Sequence, residues 1–292
     1  TLFDINYHDL SYTFLENKIG NIALSYVDNV SRYGQVQTDG NNIVSFNEKG
    51  NSHSGYINSG VGIFKKTIID YISGDNSSLE KDIFPKLINK NLLSARNYNS
   101  FFIDIGSPLT LEKSKNLIPL WKSKGALLLD RDGVINEDYG YVHSMSNFKW
   151  VDGAIETIKM ANDLGILVIV VTNQSGIARG IYSENDFKDF TSQINEKLIN
   201  NGAHIDKTYY CPHHPSEGIG EFKRNCNCRK PKVGLFNQLK KEWLLKPDKI
   251  LMLGDKSSDK QFADNIKSEF LYVKNNKIRI STVINKIKKN VK

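Results

Sequence analysis

Residues 127–136 read LLLDRDGVIN, an apolar run that ends in two aspartates, Asp130 and Asp132, with one residue between them. A short apolar run of this kind predicts a buried strand. Burying a carboxylate is costly unless another charge compensates it. The pair therefore indicates that a compensating cation lies at the mouth of this strand.

The segments that follow alternate between strand and helix patterns. The predicted strands are ALLLD (126–130), ILVIVVTN (166–173), KTYYC (207–211), KILMLGD (249–255) and EFLYV (269–273). The predicted helices are DGAIETIKMANDLG (152–165), ENDFKDFTSQINEKLINNG (184–202) and GLFNQLKKEWL (234–244). The strands are apolar throughout instead of alternating, which is typical of a parallel sheet covered by helices on both faces. This part of the chain is therefore predicted to adopt an α/β fold.

Residues 22–105 have a different texture, with short β-rich runs between Gly and Asn turns and one helical stretch, SLEKDIFPKLINK (78–90). A chain of 292 residues exceeds the usual size of one domain. We place the join within residues 114–125 and predict domains at 1–118 and 119–292.

The composition restricts the classes of partner. Lys and Arg number 39 against 32 Asp and Glu, a net charge of +7, and the excess is spread along the chain and gathered in its last residues. Without an Arg-rich helix or a basic run interleaved with aromatics, nucleic-acid binding is not favoured. A basic surface does favour anionic substrates. No apolar stretch approaches the roughly 20 residues of a membrane helix, and the start is unlike a signal peptide. We expect a cytoplasmic protein without membrane partners, of undetermined oligomeric state.

Three predicted strands end in polar clusters: LLLDRD, IVVTNQS and LMLGDKSSD. One such cluster could be a helix cap, but three together at the carboxyl edge of a parallel sheet indicate a ligand site. One carboxylate can act as a nucleophile that forms an acyl-phosphate, and a second can transfer protons. Clustered acids with oxygen ligands select Mg²⁺. We therefore predict phosphoryl transfer with Asp130, Asp132 and Asp255 as magnesium ligands.

The DRDGV segment resembles the first motif of the haloacid dehalogenase superfamily, DxD followed by Gly and Thr or Val. The resemblance implies a Rossmann-like sheet, with Asp130 as nucleophile and Asp132 as general acid and base. It also implies that Thr172 and Lys230 hold the transferred phosphoryl group. Asp259 matches the usual second acid of the last motif, and a helix-capping role for it remains open.

All three cysteines lie in one segment, where CPHHP and NCNC supply a possible metal site. The predicted zinc ligands are Cys211, His213, Cys226 and Cys228. Four protein ligands form a closed tetrahedral site, which is typical of structural zinc. His214 remains a rival for His213. Such a zinc would shape the loop that presents Arg229 and Lys230, which follow Cys228 directly.

A zinc loop in this scaffold resembles two phosphatase families, those of heptose bisphosphate and of histidinol phosphate. The stretches NEDYGYVHSMSNFKWVDGAIE (136–156), TNQSGIARG (172–180) and CNCRKPKVGL (226–235) are similar to the heptose family. The pocket implied by this resemblance is Asp138, Tyr139, Gly140, Tyr141, Asn173, Gln174, Ser175, Arg229 and Lys256. A sugar bisphosphate needs a second cationic clamp, for which Arg is suited. Tyr139 and Tyr141 could also be ordinary loop aromatics.

The first half carries a separate resemblance. NEKG, YINSGVGIF, SLEKDIFPKLI and FFIDIGSPLTLEKSK are similar to the second half of sugar-1-phosphate nucleotidyltransferases. This implies a sugar-phosphate site at Glu48, Lys49 and Asn58, and a metal ligand at Asp104. The Gly-rich GGxGTR loop that cradles nucleotide phosphates and the Gly-Asp pair with the other metal acid are absent from the sequence. We therefore expect a partial transferase domain, inactive as written, in a fragment of a bifunctional protein.

Together these features predict a magnesium-dependent phosphatase that removes the 7-phosphate of D-glycero-D-manno-heptose 1,7-bisphosphate through an aspartyl-phosphate. The 1-phosphate left behind is what a guanylyltransferase would activate with GTP, for a cell-surface glycan such as lipopolysaccharide. Two alternatives stay open: a histidinol-phosphate phosphatase, and a nonenzymatic zinc-stabilised binding module. A basic amine substrate would require an acidic pocket, which Arg229 and Lys256 do not supply.

Overall fold

The structure, a computed structural model, describes residues 1–47, 54–74 and 76–291. The chain divides into two units, Thr1–Asn116 and Leu117–Lys292. Glu48 and Lys49, two residues of the implied sugar-phosphate site, lie outside the described residues. Within the described part of the chain, no helix combines the length and the apolar character needed to cross a membrane.

The first unit is built mainly from short strands. Its strands are β1 (Leu2–Phe3), β2 (Gly20–Val27), β3 (Gln35–Asp39), β4 (Asn42–Asn47), β5 (Gly55–Phe64), β6 (Leu93–Tyr98) and β7 (Phe102–Ile103). Its helices are α1 (Tyr7–Tyr12), α2 (Phe84–Asn89) and the start of α3 (Pro108–Lys122). Strands β2, β5, β3, β4 and β6 close on one another in that order, and β1 pairs with β7. The helical stretch predicted at 78–90 begins as a π-helical turn, Leu79–Ile83, before α2.

The second unit has the predicted parallel sheet. Its strands are β8 (Ala126–Leu129), β9 (Leu167–Asn173), β10 (Lys207–Cys211), β11 (Ile250–Gly254) and β12 (Glu269–Tyr272). They lie in the order β10-β9-β8-β11-β12, and every pair is parallel. The helices are α4 (Ala154–Asp163), α5 (Ser175–Ala178), α6 (Glu184–Ile199), α7 (Gly234–Glu242), α8 (Ser257–Asn265) and α9 (Ile280–Lys286).

Helices cover both faces of this sheet, which confirms the predicted fold class. Successive residues of a strand point to opposite faces. Leu127 and Leu129 accordingly pack in one core with residues of α4, α6 and α9. Leu128 packs in the other core with residues of α7 and α8. Because both faces are buried, the strands must be apolar at every position, and this is why they read as continuous apolar runs.

Helix α6 shows how local sequence sets an element. Ser183 accepts a hydrogen bond from the backbone of Asp186 and Asp186 accepts one from the backbone of Ser183, which forms a capping box. The buried positions that follow are spaced by three or four residues: Phe187, Phe190, Ile194 and Leu198. This apolar stripe places α6 on the same face of the sheet as α4.

The register of the strands brings three polar segments to one edge. Leu129 of β8 pairs with Val170 of β9 and with Leu253 of β11. The residues that follow these positions therefore lie side by side at the carboxyl edge of the sheet. Asp130, Thr172 and Asp255 lie in these segments.

Candidate active site and metal centres

Asp130 leaves β8 at the middle of the sheet. Its backbone N–H donates to the carbonyl of Leu253 (3.0 Å), so the residue is anchored to β11. Its side chain is buried, and Oδ1 accepts a hydrogen bond from the backbone N–H of Arg131 (2.8 Å). The same oxygen lies 3.1 Å from Nζ of Lys230. Oδ1 is thus occupied by the protein, and Oδ2 is the oxygen that remains for chemistry.

Lys230 brings a positive charge into the centre. Its side chain is 0 % exposed, and Nζ lies 2.7 Å from Oδ1 of Asp259, which is equally buried. The backbone is tied to the end of β9, because Asn173 accepts from Lys230 N–H (2.9 Å) and donates to its carbonyl (3.1 Å). A buried ammonium is tolerated only when it is paired, and here two carboxylates pair with it. Asn173, predicted to contact substrate, thus holds Lys230.

Asp255 completes a cluster of acids with Asp130 and Asp259. One carboxylate oxygen from each of the three lies within 4.8 Å of the others. Burial, together with the nearby carboxylates of Asp130 and Asp259, raises the pKa of Asp255 to about 6 against the opposing charge of Lys256. Among the described residues none donates a hydrogen bond to the buried Oδ1 of Asp255.

The glycine of the first motif lets these segments approach one another. Gly133 has a φ of +86°, and a Cβ there would lie 2.4 Å from Oδ2 of Asp255. A side chain would therefore be strained by its backbone conformation and would also displace the acid.

Asp132 lies apart from this acid cluster. Its carboxylate accepts hydrogen bonds from Nε and Nη2 of Arg131 (2.9–3.1 Å). Asn136 donates to Oδ1 (3.0 Å) and Gln174 to Oδ2 (2.9 Å). The predicted magnesium set of Asp130, Asp132 and Asp255 thus differs from the cluster in one member, since Asp259 takes the third place. Asp259 also accepts from the backbone of Lys256 (3.0 Å) at the start of α8, so the capping contact is present in a residue that also lies in the acid cluster.

Arg131 is a buried charged residue beside the site that the sequence analysis did not single out. Its side chain is 3 % exposed, donates to the carbonyl of Val142 (2.6 Å) and lies over the rings of Phe187 and Phe190. A charged residue between two aspartates at a strand end normally points to solvent. The available signal was the cost of three adjacent charges, which an internal ion pair removes.

The residues implied to bind substrate fall into two groups. Gln174 is 1 % exposed and is used inside the protein, where it links Asp132 with Thr172. The loop residues are more accessible: Asp138 accepts from Gly140 N–H (2.9 Å) and pairs with Lys256 (2.8 Å). Burial opposes the charge of Lys256, but the hydrogen bond to Asp138 and the nearby carboxylates raise its pKa.

Both loop tyrosines are exposed at the surface. Tyr139 is 60 % exposed and donates to Glu137, while Tyr141 is 41 % exposed and lies under the guanidinium of Arg179. Arg179 in turn pairs with Glu217, which lies in the cysteine-containing loop. Arg229 donates to the carbonyl of His213 (3.3 Å). Ser175 begins α5 at the same edge of the sheet.

The predicted zinc ligands come together. The four ligand atoms of Cys211, His213, Cys226 and Cys228 lie within 4.8 Å of one another. The Sγ atoms of Cys211 and Cys226 lie 3.5 Å apart, and those of Cys211 and Cys228 lie 3.2 Å apart. Nδ1 of His213 lies 3.2 Å from Sγ of Cys228. His214, the rival, accepts from Glu217 N–H (3.0 Å) and is outside the group.

Both clusters fit a cation by their own chemistry. Metal–sulfur bonds of about 2.3 Å in a tetrahedron place ligand atoms about 3.8 Å apart, close to the separations found here. Burial lowers the pKa of His213 and so keeps its ring neutral, the form that binds metal. The acid cluster offers only oxygen atoms, one of them buried and unpaired, which suits a hard cation such as Mg²⁺.

In the first unit, two of the four implied residues can be placed. Nδ2 of Asn58 donates to Oε1 of Glu80 (2.7 Å). Asp104 accepts from the hydroxyl of Thr1 (2.9 Å), and its side chain is 23 % exposed. In the described part of the chain, groups of three or more potential metal ligands occur only in the second unit.

Comparison with known proteins places both units. Residues 129–282 match the family model described as polynucleotide kinase 3 phosphatase, and residues 14–152 match that described as nucleotidyl transferase. The D-glycero-beta-D-manno-heptose-1,7-bisphosphate 7-phosphatase of Haemophilus influenzae is 48% identical over 46% of this chain and 72% of its own length. The Pasteurella multocida protein of the same name is 46% identical over 47% of this chain and 73% of its own.

A solved structure supports the fold. The crystal structure of a putative HAD-like phosphatase from Mesorhizobium loti is 29% identical, with a TM-score of 0.51, over 57% of this chain and 87% of that one. The parallel sheet with acids at its carboxyl edge thus defines a protein of the haloacid dehalogenase-like phosphatase class. Through its second unit the chain belongs to the family matched by the polynucleotide kinase 3 phosphatase model and to that of the D-glycero-beta-D-manno-heptose-1,7-bisphosphate 7-phosphatases.

Proposed function

We propose that the second unit is a magnesium-dependent phosphatase that removes the 7-phosphate of D-glycero-D-manno-heptose 1,7-bisphosphate and leaves the 1-phosphate. The observation that carries this proposal is the buried cluster of Asp130, Lys230 and Asp255 at the carboxyl edge of the sheet. The similarity of residues in this unit to phosphatases named for that substrate supports the choice of sugar.

Catalysis would use the free carboxylate oxygen of Asp130. Its Oδ1 is engaged by Arg131 N–H and Lys230, so Oδ2 attacks phosphorus while the bond from phosphorus to the sugar oxygen breaks. Asp132, in its protonated form, gives a proton to that leaving oxygen. In the second step Asp132 takes a proton from water, whose oxygen attacks phosphorus while the bond from phosphorus to Oδ2 of Asp130 breaks, so that inorganic phosphate leaves and the Asp130 carboxylate is regenerated.

Two neighbouring side chains hold the phosphoryl group during both steps. Thr172 would donate its hydroxyl hydrogen, and Lys230 would neutralise negative charge through Nζ. Asp130 and Asp255 would hold magnesium beside Asp259. Magnesium, when bound, stabilises the charge on the phosphoryl oxygens as a Lewis acid.

The remote end of the substrate would meet the loop cations. Arg229 follows the proposed zinc ligand Cys228 directly, and its guanidinium is already directed to the carbonyl of His213. Lys256 lies beside Asp255 and pairs with Asp138. We assign zinc a structural role, since four protein ligands leave no position for water.

The experiment measures phosphate release by the full chain with Mg²⁺ from three substrates: heptose 1,7-bisphosphate, histidinol phosphate and an oligonucleotide with a terminal phosphate. We expect kcat/KM for the heptose substrate to exceed the others by about 100-fold, and phosphorus NMR to show the 1-phosphate as product. Equal rates on all three would overturn the substrate assignment. No release from any of them would overturn the phosphatase assignment.

A further inference from the structure

We infer that Tyr182 and Gln174 are positioning residues that fix the Thr172 hydroxyl as a hydrogen-bond donor to the transferred phosphoryl group. This inference rests on the proposed function for the role of Thr172. The arrangement of the side chains themselves is independent of it, and the experiment below separates the two.

The amide of Gln174 is the centre of this arrangement. Its Nε2 donates to Oδ2 of Asp132 (2.9 Å) and to Oγ1 of Thr172 (2.9 Å), and its Oε1 accepts from the hydroxyl of Tyr182 (2.6 Å). An ionised carboxylate can only accept and an amide nitrogen can only donate. Asp132 therefore requires the amide orientation in which Nε2 faces it, and in that orientation Oε1 accepts from Tyr182, whose hydroxyl can either donate or accept.

This orientation determines what Thr172 can do. The Thr172 hydroxyl is 1 % exposed and has one hydrogen to donate. Because Gln174 donates to its oxygen, the hydrogen is directed elsewhere. In the part of the chain that the structure describes, Gln174 is the one side chain that hydrogen-bonds to this hydroxyl. The hydrogen thus remains for a ligand at the carboxyl edge of the sheet, where Asp130 also lies.

The ring of Tyr182 packs directly against Gly176, where the lack of a side chain lets the tyrosine hydroxyl reach Gln174. A Cβ on Gly176 would lie 2.2 Å from Cε1 and 2.7 Å from the hydroxyl oxygen of Tyr182. On its other side the ring stacks on His143, with centroids 5.0 Å apart and planes 17° apart. Burial raises the pKa of Tyr182 to about 12, so the phenol keeps the hydrogen that it donates.

Tyr182 holds the far side of the Gln174 amide. Asp132 and Thr172 both accept from Nε2, and the Tyr182 hydroxyl donates to Oε1. Without that hydroxyl the buried Oε1 would lose its donor, and Nε2 would be held less firmly on the oxygen of Thr172. The hydrogen of Thr172 would then be directed less well to the phosphoryl group during the reaction, so removal of the Tyr182 hydroxyl should lower kcat and leave KM nearly unchanged.

The test compares Tyr182→Phe with Tyr209→Phe in the full chain. Both tyrosines are 6 % exposed, and the Tyr209 hydroxyl accepts from Trp243 (3.2 Å), away from Gln174. We expect Tyr182→Phe to lower kcat about tenfold on both heptose bisphosphate and p-nitrophenyl phosphate, with KM within about twofold. Tyr209→Phe should stay within about twofold of wild type on both substrates. In a Gln174→Met background, Tyr182→Phe should have no further effect beyond about twofold.

A second measurement does not depend on activity. The side-chain amide protons of Gln174, identified in NMR spectra by their loss in Gln174→Met, should exchange with solvent at least about tenfold faster in Tyr182→Phe than in Tyr209→Phe. Unchanged exchange would overturn the inference, as would a loss of activity confined to heptose bisphosphate, which would place Tyr182 at the sugar. If wild-type protein releases no phosphate but the exchange rates differ as expected, the proposed function fails while the arrangement of Gln174 stands. The role assigned to Thr172 then falls with the function.

Discussion

The two units differ in the burial and the partners of the polar residues that family resemblance implies to be functional. In the first unit, Asn58 donates to Glu80, and Asp104 accepts from Thr1 while remaining partly exposed. In the second unit, Asp130 and Lys230 are buried together with two further acids. The contrast is one of environment: the described residues of the first unit are satisfied by single ordinary neighbours, whereas those of the second unit share a buried cluster of three acids and one lysine.

The largest expected effect comes from replacing one aspartate by asparagine in each unit. Asp130→Asn should lower phosphate release by several powers of ten, because a nearly isosteric amide cannot form an acyl-phosphate. Asp104→Asn, the matched change in the first unit, should leave release unchanged. Steady-state kinetics on heptose bisphosphate and circular dichroism of both variants would check this. Activity within tenfold of wild type in a folded Asp130→Asn protein would end the covalent mechanism.

A second pair of changes compares two buried lysines, Lys18 and Lys230, which differ in the kind of group that they contact. Lys18 in the first unit donates to Oδ1 of Asn42 (2.7 Å) and to the carbonyl of Asn91 (2.8 Å), whereas Lys230 pairs with acids. Lys230→Met should lower kcat/KM about 100- to 1,000-fold on every phosphate ester, since each presents the same phosphoryl group. Lys18→Met should leave activity intact and lower the free energy of unfolding by about 1–3 kcal/mol, because buried acceptors lose their donor.

Urea unfolding followed alongside phosphate release would separate these outcomes. If Lys230→Met affected heptose bisphosphate and a small phosphate ester to different degrees, Lys230 would belong to the sugar end of the pocket. A loss of phosphatase activity in Lys18→Met at temperatures where it is folded would contradict the division of roles between the units.

Loss of zinc should have a smaller effect on activity. This effect tests the second unit alone, because all three cysteines lie between residues 211 and 228. We expect one zinc per chain by metal analysis and its loss in the variant Cys226→Ser with Cys228→Ser. Activity should fall about 10- to 100-fold, because Arg229 and Lys230 follow the cluster directly, while the sheet persists by circular dichroism. Zinc-free protein from a chelator-free purification, or equal zinc in the double variant, would refute the site.

The smallest effect concerns selectivity. Arg229→Ala should lower kcat/KM about tenfold for heptose bisphosphate and hardly at all for p-nitrophenyl phosphate, because only the former presents a second phosphate. Lys232→Ala, a neighbouring charge that bonds to Cys226 carbonyl (2.9 Å), is the matched control and should be neutral. An equal loss on both substrates would show that Arg229 supports the reaction centre or the loop instead.

The sequence predicted the elements of the second unit because each strand is buried on both faces and each helix has a regular apolar stripe. It also singled out Asp130 and Asp255, whose positions after strands bring them to one edge, whereas Lys230 was implied only by the resemblance to a known family. It did not reveal that Asn173 and Gln174 bond inside the protein. An amide at a strand end reads equally well as a ligand group or as an internal link, and only the packing of Lys230 and Tyr182 decides between them.

The order of the strands determines which parts of the sheet unfold locally at the lowest free energy. Asp130 follows β8, the middle strand of five, whereas Cys211 ends β10 at the margin of the sheet. Marginal strands open locally at lower free energy than central ones, so amide hydrogens in β8 should exchange among the slowest in the unit. Asp130, the proposed nucleophile, is therefore carried by the most persistent part of the sheet. The residues assigned to recognise the rest of the substrate lie in loops outside the sheet, where substitutions can alter preference and leave the chemistry intact.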